Sequence, residues 1–240
     1  MNRRFIIYCL ALVGLLSCED KQKQSQVKEE NAKETFVIPA KISEEKKEIL
    51  TDSITYPLIT NENLVEFLTA YGKEHPETKV RINTQHGEID IELYKDTPLH
   101  RANFIYLVKQ EYFNGTFFHR IVSNFIIQGG NSDNITTPRK RNKLGKKYLI
   151  PSELKNGRKH KYGTVSGAKD YRKNPENKSV PFEFFIFLGP QSSTAHLNGN
   201  YTIFGKVTKG MDIVEKIANL PADEGDWPKQ NVYIEAEIIE

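Results

Sequence analysis

Cysteine is nearly missing from this chain of 240 residues: there are two, Cys9 and Cys18, and no thiol follows them. The rest of the molecule therefore cannot build a disulfide framework or a thiolate metal site. An excess of one charge is missing as well. Basic residues number 34 and acidic residues 31, a net charge of +3, so no dominant field favours nucleic acid. Beyond the first sixteen positions no apolar run is long enough to cross a bilayer. The six histidines include no pair at i and i+4, which removes the usual helical zinc motif. Ser123 and Ser166 sit in no nucleophile elbow, and Gly129-Gly130 matches no phosphate loop. Neither a metal nor a cofactor is expected.

What is present is 38% hydrophobic and 27% charged, enough for one sizeable core with extensions. Arg3-Arg4 precede a short apolar run over 5–16, a basic leader followed by a segment too short for a stable transmembrane helix. The run ends Leu15-Leu16-Ser17-Cys18, which resembles the lipobox of bacterial lipoproteins. That resemblance implies a signal peptide over 1–17, removal before Cys18, acylation of Cys18, and a lipid-anchored protein of the bacterial cell envelope, on a periplasmic face or the cell surface. Residues 18–53 are rich in Lys, Glu and Gln with few large apolar side chains. Such a composition cannot offset backbone ordering by burial and reads as a flexible tether. About 35 residues of flexible chain reach roughly 30–35 Å.

An accessory helical segment is expected over 54–78. Leu64, Phe67, Leu68 and Tyr71 recur at i, i+3, i+4 and i+7, with Asn61 as cap and Gly72 as stop. Its apolar face should pack on the chain's own body, although docking to an envelope partner would use the same face. The spans 79–83 and 88–93 alternate apolar and polar residues around Gln85-His86-Gly87, a hairpin pattern. Thr97-Pro98, a capping hydroxyl and a first-turn proline, opens a helix to about residue 110. Later strands read at 163–167, 183–188, 203–207 and 232–238, with a short helix over 211–218. So many strands with only two short helices in the body predict a barrel over 79–240 rather than alternating βαβ units. The basic stretch within 137–161, including Arg139, Lys140, Arg141, Lys143, Lys146 and Lys147, has little aromatic interleaving. It reads as a solvated loop, with no nucleic-acid partner.

The centre of the chain is residues 117–131, two apolar runs of strand length joined by Ser123-Asn124 and interrupted by Arg120 and Gln128. Phe117-Phe118-His119-Arg120-Ile121, a short gap, then Phe125-Ile126-Ile127-Gln128-Gly129-Gly130 resembles the signature of the cyclophilins, peptidyl-prolyl cis-trans isomerases. The resemblance, covering roughly two thirds of the chain, implies a closed eight-stranded antiparallel barrel capped by two helices. It further implies that Arg120 is catalytic, donating to the imide nitrogen of a twisting prolyl bond. Phe125, Ile126, Phe185, His196, Leu197 and Tyr201 take the positions of the proline pocket. Gln128 would hold a substrate carbonyl and steady Arg120, and Ala168 and Lys169 would offer backbone groups to the peptide. The departures are specific. Ser123-Asn124 stands where Pro-Gly is usual, residues 170–180 form a longer insert, and Glu183 replaces a glutamine. A carboxylate there could orient Arg120 or hold it back. The implied partners are proline-containing polypeptide clients of a monomer, and the implied role is the folding of extracytoplasmic proteins. A rival reading keeps the groove as a non-catalytic chaperone or adaptor for proline segments.

Overall fold

The computed structural model describes residues 56–170 and 173–240. The segments read as a signal peptide and a tether, with Cys18, lie outside the described residues. Eight strands follow in chain order: β1 (Lys79–Thr84), β2 (Gly87–Leu93), β3 (Thr116–Val122), β4 (Ile126–Asn131), β5 (Thr164–Gly167), β6 (Phe184–Phe187), β7 (Ile203–Lys209) and β8 (Val232–Ile238). Around the wall their order is β1-β2-β7-β5-β6-β4-β3-β8, every pair antiparallel and the circuit closed. Among the described residues, closure leaves no strand edge for another chain to extend.

Alternation along the strands sorts the side chains into two separate apolar clusters. Val80, Ile82, Ile89, Ile91, Ile127, Val165, Ile186 and Ile234 belong to the main core. Their neighbours Ile126, Phe185 and Phe187 join Leu197 and Tyr201 in a second, smaller cluster, with Phe125 packed against it. In a strand successive side chains take opposite faces, so this second cluster lies on the other side of the wall from the core. It is where the site forms.

Helix α1 (Leu64–Glu74) buries Leu64, Leu68 and Tyr71 against α2 (Pro98–Lys109). The aromatic rings of Phe67, Tyr71 and Tyr106 meet at 5.1–5.7 Å. Two expected details differ. Gly72 does not stop α1: the carbonyl of Gly72 accepts from the Arg101 guanidinium at 2.7 Å. A Cβ at Gly72 would stand 3.0 Å from Cβ of Ala102. Gly72 is thus a close-approach position between two helices. Asn61 lies before the helix and accepts instead from the backbone N–H of Leu149 at 2.9 Å.

The cap of α2 also departs from expectation. The Thr97 hydroxyl donates back to Tyr94 O, and the free N–H groups of Leu99 and His100 donate to the Glu153 carboxylate at 3.0 Å each. An acid from 53 and 54 positions away supplies the negative charge a helix start favours. The basic stretch read as a loop contains α3 (Thr136–Leu144). Leu144 and Thr137 are buried, Lys140 donates to Glu111 O and Asn114 O, and Arg141 turns inward. Four cations in nine residues masked an amphipathic pattern that rests on so few apolar positions. Helix α4 (Met211–Ala218) buries Val214 and Ile217.

Candidate active site

Ladder register builds the site. Arg120 on β3 pairs with Gln128 on β4, Gln128 with Phe185 on β6, and Phe185 with Ser166 on β5. A single cross-strand row therefore carries a cation, an amide, a ring and a hydroxyl in sequence. The turn between β3 and β4 sets this register. Asn124 takes a left-handed φ of 55°, a conformation that asparagine tolerates and that suits a position where glycine is usual. Phe125 N–H donates to Val122 O at 3.0 Å, closing the turn. The pair Gly129-Gly130 has a purely steric task. Gly130 has a φ of 100°, and a Cβ on it would lie 2.1 Å from the Phe182 carbonyl oxygen.

A hollow of about 240 Å³ opens over that row. Phe125, Ile126, Phe185, Leu197 and Tyr201 supply its apolar lining, Arg120 and Gln128 one polar edge, and Ala168 and Lys169 another. Leu197 and Tyr201 arrive on a chain of turns after the 3₁₀ segment Gln191–Thr194, fixed by Leu197 N–H to Thr194 O and Tyr201 N–H to Leu197 O at 3.0 and 3.1 Å. Behind them His160 is fully buried. Its ring stacks on Phe185 at 5.8 Å, and its two nitrogens meet Asn198 Oδ1 and Ser166 Oγ at 3.0 Å each. Burial pushes the His160 pKa down, which favours the neutral ring despite the Asn198 bond.

Nine of the eleven residues singled out from sequence for catalysis or substrate binding line this hollow. His196 does not: it is exposed and lies against the Phe125 ring at 5.8 Å. Glu183 is also absent from the lining, and it does not contact Arg120. Its carboxylate accepts from Gln128 Nε2 at 3.0 Å and from Arg141 at 3.3 Å, with His119 Nε2 at 3.5 Å. Burial pushes this carboxyl up, but the His119 bond and charge, Arg141 and Gln128 outweigh it and hold the pKa below the usual carboxylate range. Gln128 consequently steadies Glu183, where Arg120 was expected. The Ala168 N–H already donates to Glu183 O, and its carbonyl accepts from the Val180 N–H with one lone pair remaining.

Arg120 has a partner that the sequence pattern does not reveal. Its Nε and one terminal nitrogen both reach Asp226 Oδ2, at 3.2 and 3.1 Å. Asp226 lies 106 residues away in an irregular loop, which is stitched to the strand by Ile121 N–H to Asp226 O at 2.8 Å. His119 is revealed by a bulge. The β3/β4 register shifts between Phe118 and Arg120, so the strict alternation of faces fails there and His119 and Arg120 are both half-buried.

This geometry suits a peptide carbonyl and an apolar ring bound side by side: a donor-rich edge, an apolar floor, and no acid in the lining. A closed eight-stranded antiparallel barrel with an arginine-edged apolar hollow on its outer wall defines a cyclophilin-type barrel. Comparison with known proteins makes the assignment. Residues 79–237 match the family described as cyclophilin type peptidyl-prolyl cis-trans isomerase/CLD, and the chain belongs to that family. It is 37% identical over 166 residues to a peptidyl-prolyl cis-trans isomerase of Acinetobacter baylyi, an alignment spanning 65% of this chain and 82% of that protein. It is 32% identical over 164 residues to peptidyl-prolyl cis-trans isomerase-like 3 of Dictyostelium discoideum, spanning 67% and 94%. The crystal structure of a cyclophilin type isomerase of Cryptosporidium parvum superposes with a TM-score of 0.57 at 29% identity, covering 68% of this chain and 98% of that one. The chain is thus a peptidyl-prolyl cis-trans isomerase.

Proposed function

We propose that the barrel isomerises prolyl bonds in extracytoplasmic polypeptides, with Arg120 as the catalytic group, and that an acylated Cys18 holds it at the bacterial cell envelope as a monomer. The observation that carries the catalytic part is the placing of the Arg120 guanidinium on the same hollow as Phe125, Ile126 and Phe185.

A prolyl peptide bond rotates slowly because resonance gives its C–N bond double-bond character, a barrier of about 18–20 kcal/mol. As it twists, the imide nitrogen becomes pyramidal and its lone pair localises. A donor aimed at that nitrogen therefore binds the transition state more strongly than the planar ground state. A guanidinium suits this because it is always charged and offers a rigid fork of N–H groups. The Asp226 carboxylate takes Nε and one terminal nitrogen of that fork from one side, leaving further N–H groups for substrate. The apolar residues hold the ring, and burying it contributes about 1.5–3 kcal/mol, which fits weak and short-lived binding. A related Cryptosporidium parvum structure was solved in the presence of the dipeptide Ala-Pro, which supports proline-containing peptides as the ligand class here.

The anchoring part rests on Arg3-Arg4, the apolar run over 5–16 and Leu15-Leu16-Ser17-Cys18. Permanent attachment needs more than one acyl chain, at about 0.8 kcal/mol per buried methylene. Two measurements test the proposal. Exchange spectroscopy on an Ala-Pro tetrapeptide should show catalysed cis-trans exchange, and binding without exchange would favour a non-catalytic chaperone or adaptor. Palmitate labelling of the full chain in a bacterial host should depend on Cys18, and equal labelling of Cys18→Ala would refute the anchor.

A further inference from the structure

The hollow is unevenly charged. Arg120 and Lys169 both line it, and no carboxylate does. Arg120 is balanced by Asp226 at 3.1 Å. Lys169 has no such partner. Its ammonium donates to Asn177 Oδ1 at 2.5 Å and sits 4.6 Å from the centre of the Tyr201 ring, and among the described residues no carboxylate comes within ion-pair distance of it. Glu183, whose backbone carbonyl accepts from the N–H of the adjacent Ala168, has its carboxylate already engaged by Arg141, His119 and Gln128. The Lys169 side chain is half-buried, and burial alone lowers its pKa, the mark of a cation with dipoles but no counter-charge around it.

The same contacts make this charge directional. An amide oxygen and a ring face restrain a long side chain that would otherwise sample many rotamers, so less ordering remains to be done when a ligand binds. A proline segment with neutral or basic neighbours would cover this ammonium without neutralising it. One with a carboxylate beside the proline would complete an ion pair on a wall that already has its hydrogen-bond geometry fixed. We propose that Lys169 is a specificity-determining residue, selecting proline segments flanked by acidic side chains. This rests on the isomerase site described above and names its substrate class.

The test uses three peptides that differ only in the residues on both sides of one proline: glutamate, alanine or lysine. Catalysed exchange is measured for the wild-type protein, Lys169→Met and Lys169→Glu, at low and at 0.5 M salt. The wild type should turn over the glutamate peptide about fivefold or more faster than the lysine peptide in kcat/KM, as expected for one partly exposed charge pair set against a repulsion. The difference should lie in KM, because the contact is the same in ground and transition states. It should shrink with salt, weaken in Lys169→Met and reverse in Lys169→Glu. A ranking that Lys169→Glu leaves unchanged overturns the proposal, provided the alanine peptide is catalysed. If the alanine peptide shows no catalysed exchange, the isomerase reading fails by itself. Chemical-shift titrations of the same peptides then decide the role of Lys169: tighter glutamate binding that Lys169→Glu abolishes supports it, and equal affinities refute it.

Discussion

Replacing Glu183 by glutamine keeps the shape of the side chain and removes its charge, which isolates the electrostatic part of the network beneath the site. The carboxylate faces Gln128 at 3.0 Å, Arg141 at 3.3 Å and His119 at 3.5 Å. Removing one member of a fully buried charge pair costs about 3–5 kcal/mol. Here Arg141 and His119 keep 22% and 10% of their side-chain surface in contact with water, so part of that cost is recovered by hydration. Glu183→Gln should therefore cost about 1–2 kcal/mol at pH 7, lowering Tm by about 2–8 °C for a domain of this size. Because folding depresses the Glu183 pKa, its contribution is present above the ordinary carboxylate value of about 4.3 and is lost as pH falls through the lower folded value. Urea unfolding of wild type and variant at a series of pH values should show the gap narrowing as pH falls below the ordinary carboxylate range. A gap that stays constant from pH 7 through the acid end of the series, or no gap at pH 7, would refute this assignment of charge.

Three further outcomes follow from the geometry. Gly130→Ala places a methyl 2.1 Å from the Phe182 carbonyl at a φ of 100°, so it should cost about 3 kcal/mol or more by chemical denaturation, with no soluble fold as the extreme. Asp226→Ala removes a pair whose side chains are 39% and 41% exposed. Stability should change by less than about 1 kcal/mol, while catalysed exchange falls by roughly threefold to tenfold as the guanidinium loses its restraint. His160 is neutral in the fold with a lowered pKa, so protonation opposes folding. Wild-type stability should decline as pH drops below about 6.5, the unfolded histidine value. His160→Gln should flatten that decline in a pH series of thermal melts.

Local pattern carried much of the molecule. Alternation and turn chemistry located the β1/β2 hairpin, α2 and the closing strand β8, and the run over 117–131 located the arginine, the glutamine and two of the five apolar lining residues, Phe125 and Ile126. What stayed hidden was long-range or irregular. The Arg120–Asp226 pair spans 106 residues and ends in a loop without periodicity. The cap on α2 comes from Glu153, 53 and 54 residues from the groups it serves. Helix α3 was concealed by its own cations, because Arg141 and Lys140 direct their charge at backbone carbonyls and an acid. His119 shows no role of its own in the sequence, since the bulge that turns it toward Glu183 leaves no trace in residue alternation.

In the proposed mechanism the guanidinium of Arg120 grips a prolyl bond harder when twisted than when flat. The most direct measurement compares wild type with Arg120→Ala on one proline tetrapeptide, reading the catalysed exchange rate and the peptide dissociation constant in the same titration. Loss of a transition-state donor should lower kcat by about 10²–10³ with the dissociation constant changed less than about threefold. A variant that binds more weakly in proportion to its lost rate, or that isomerises as fast as wild type, would contradict it.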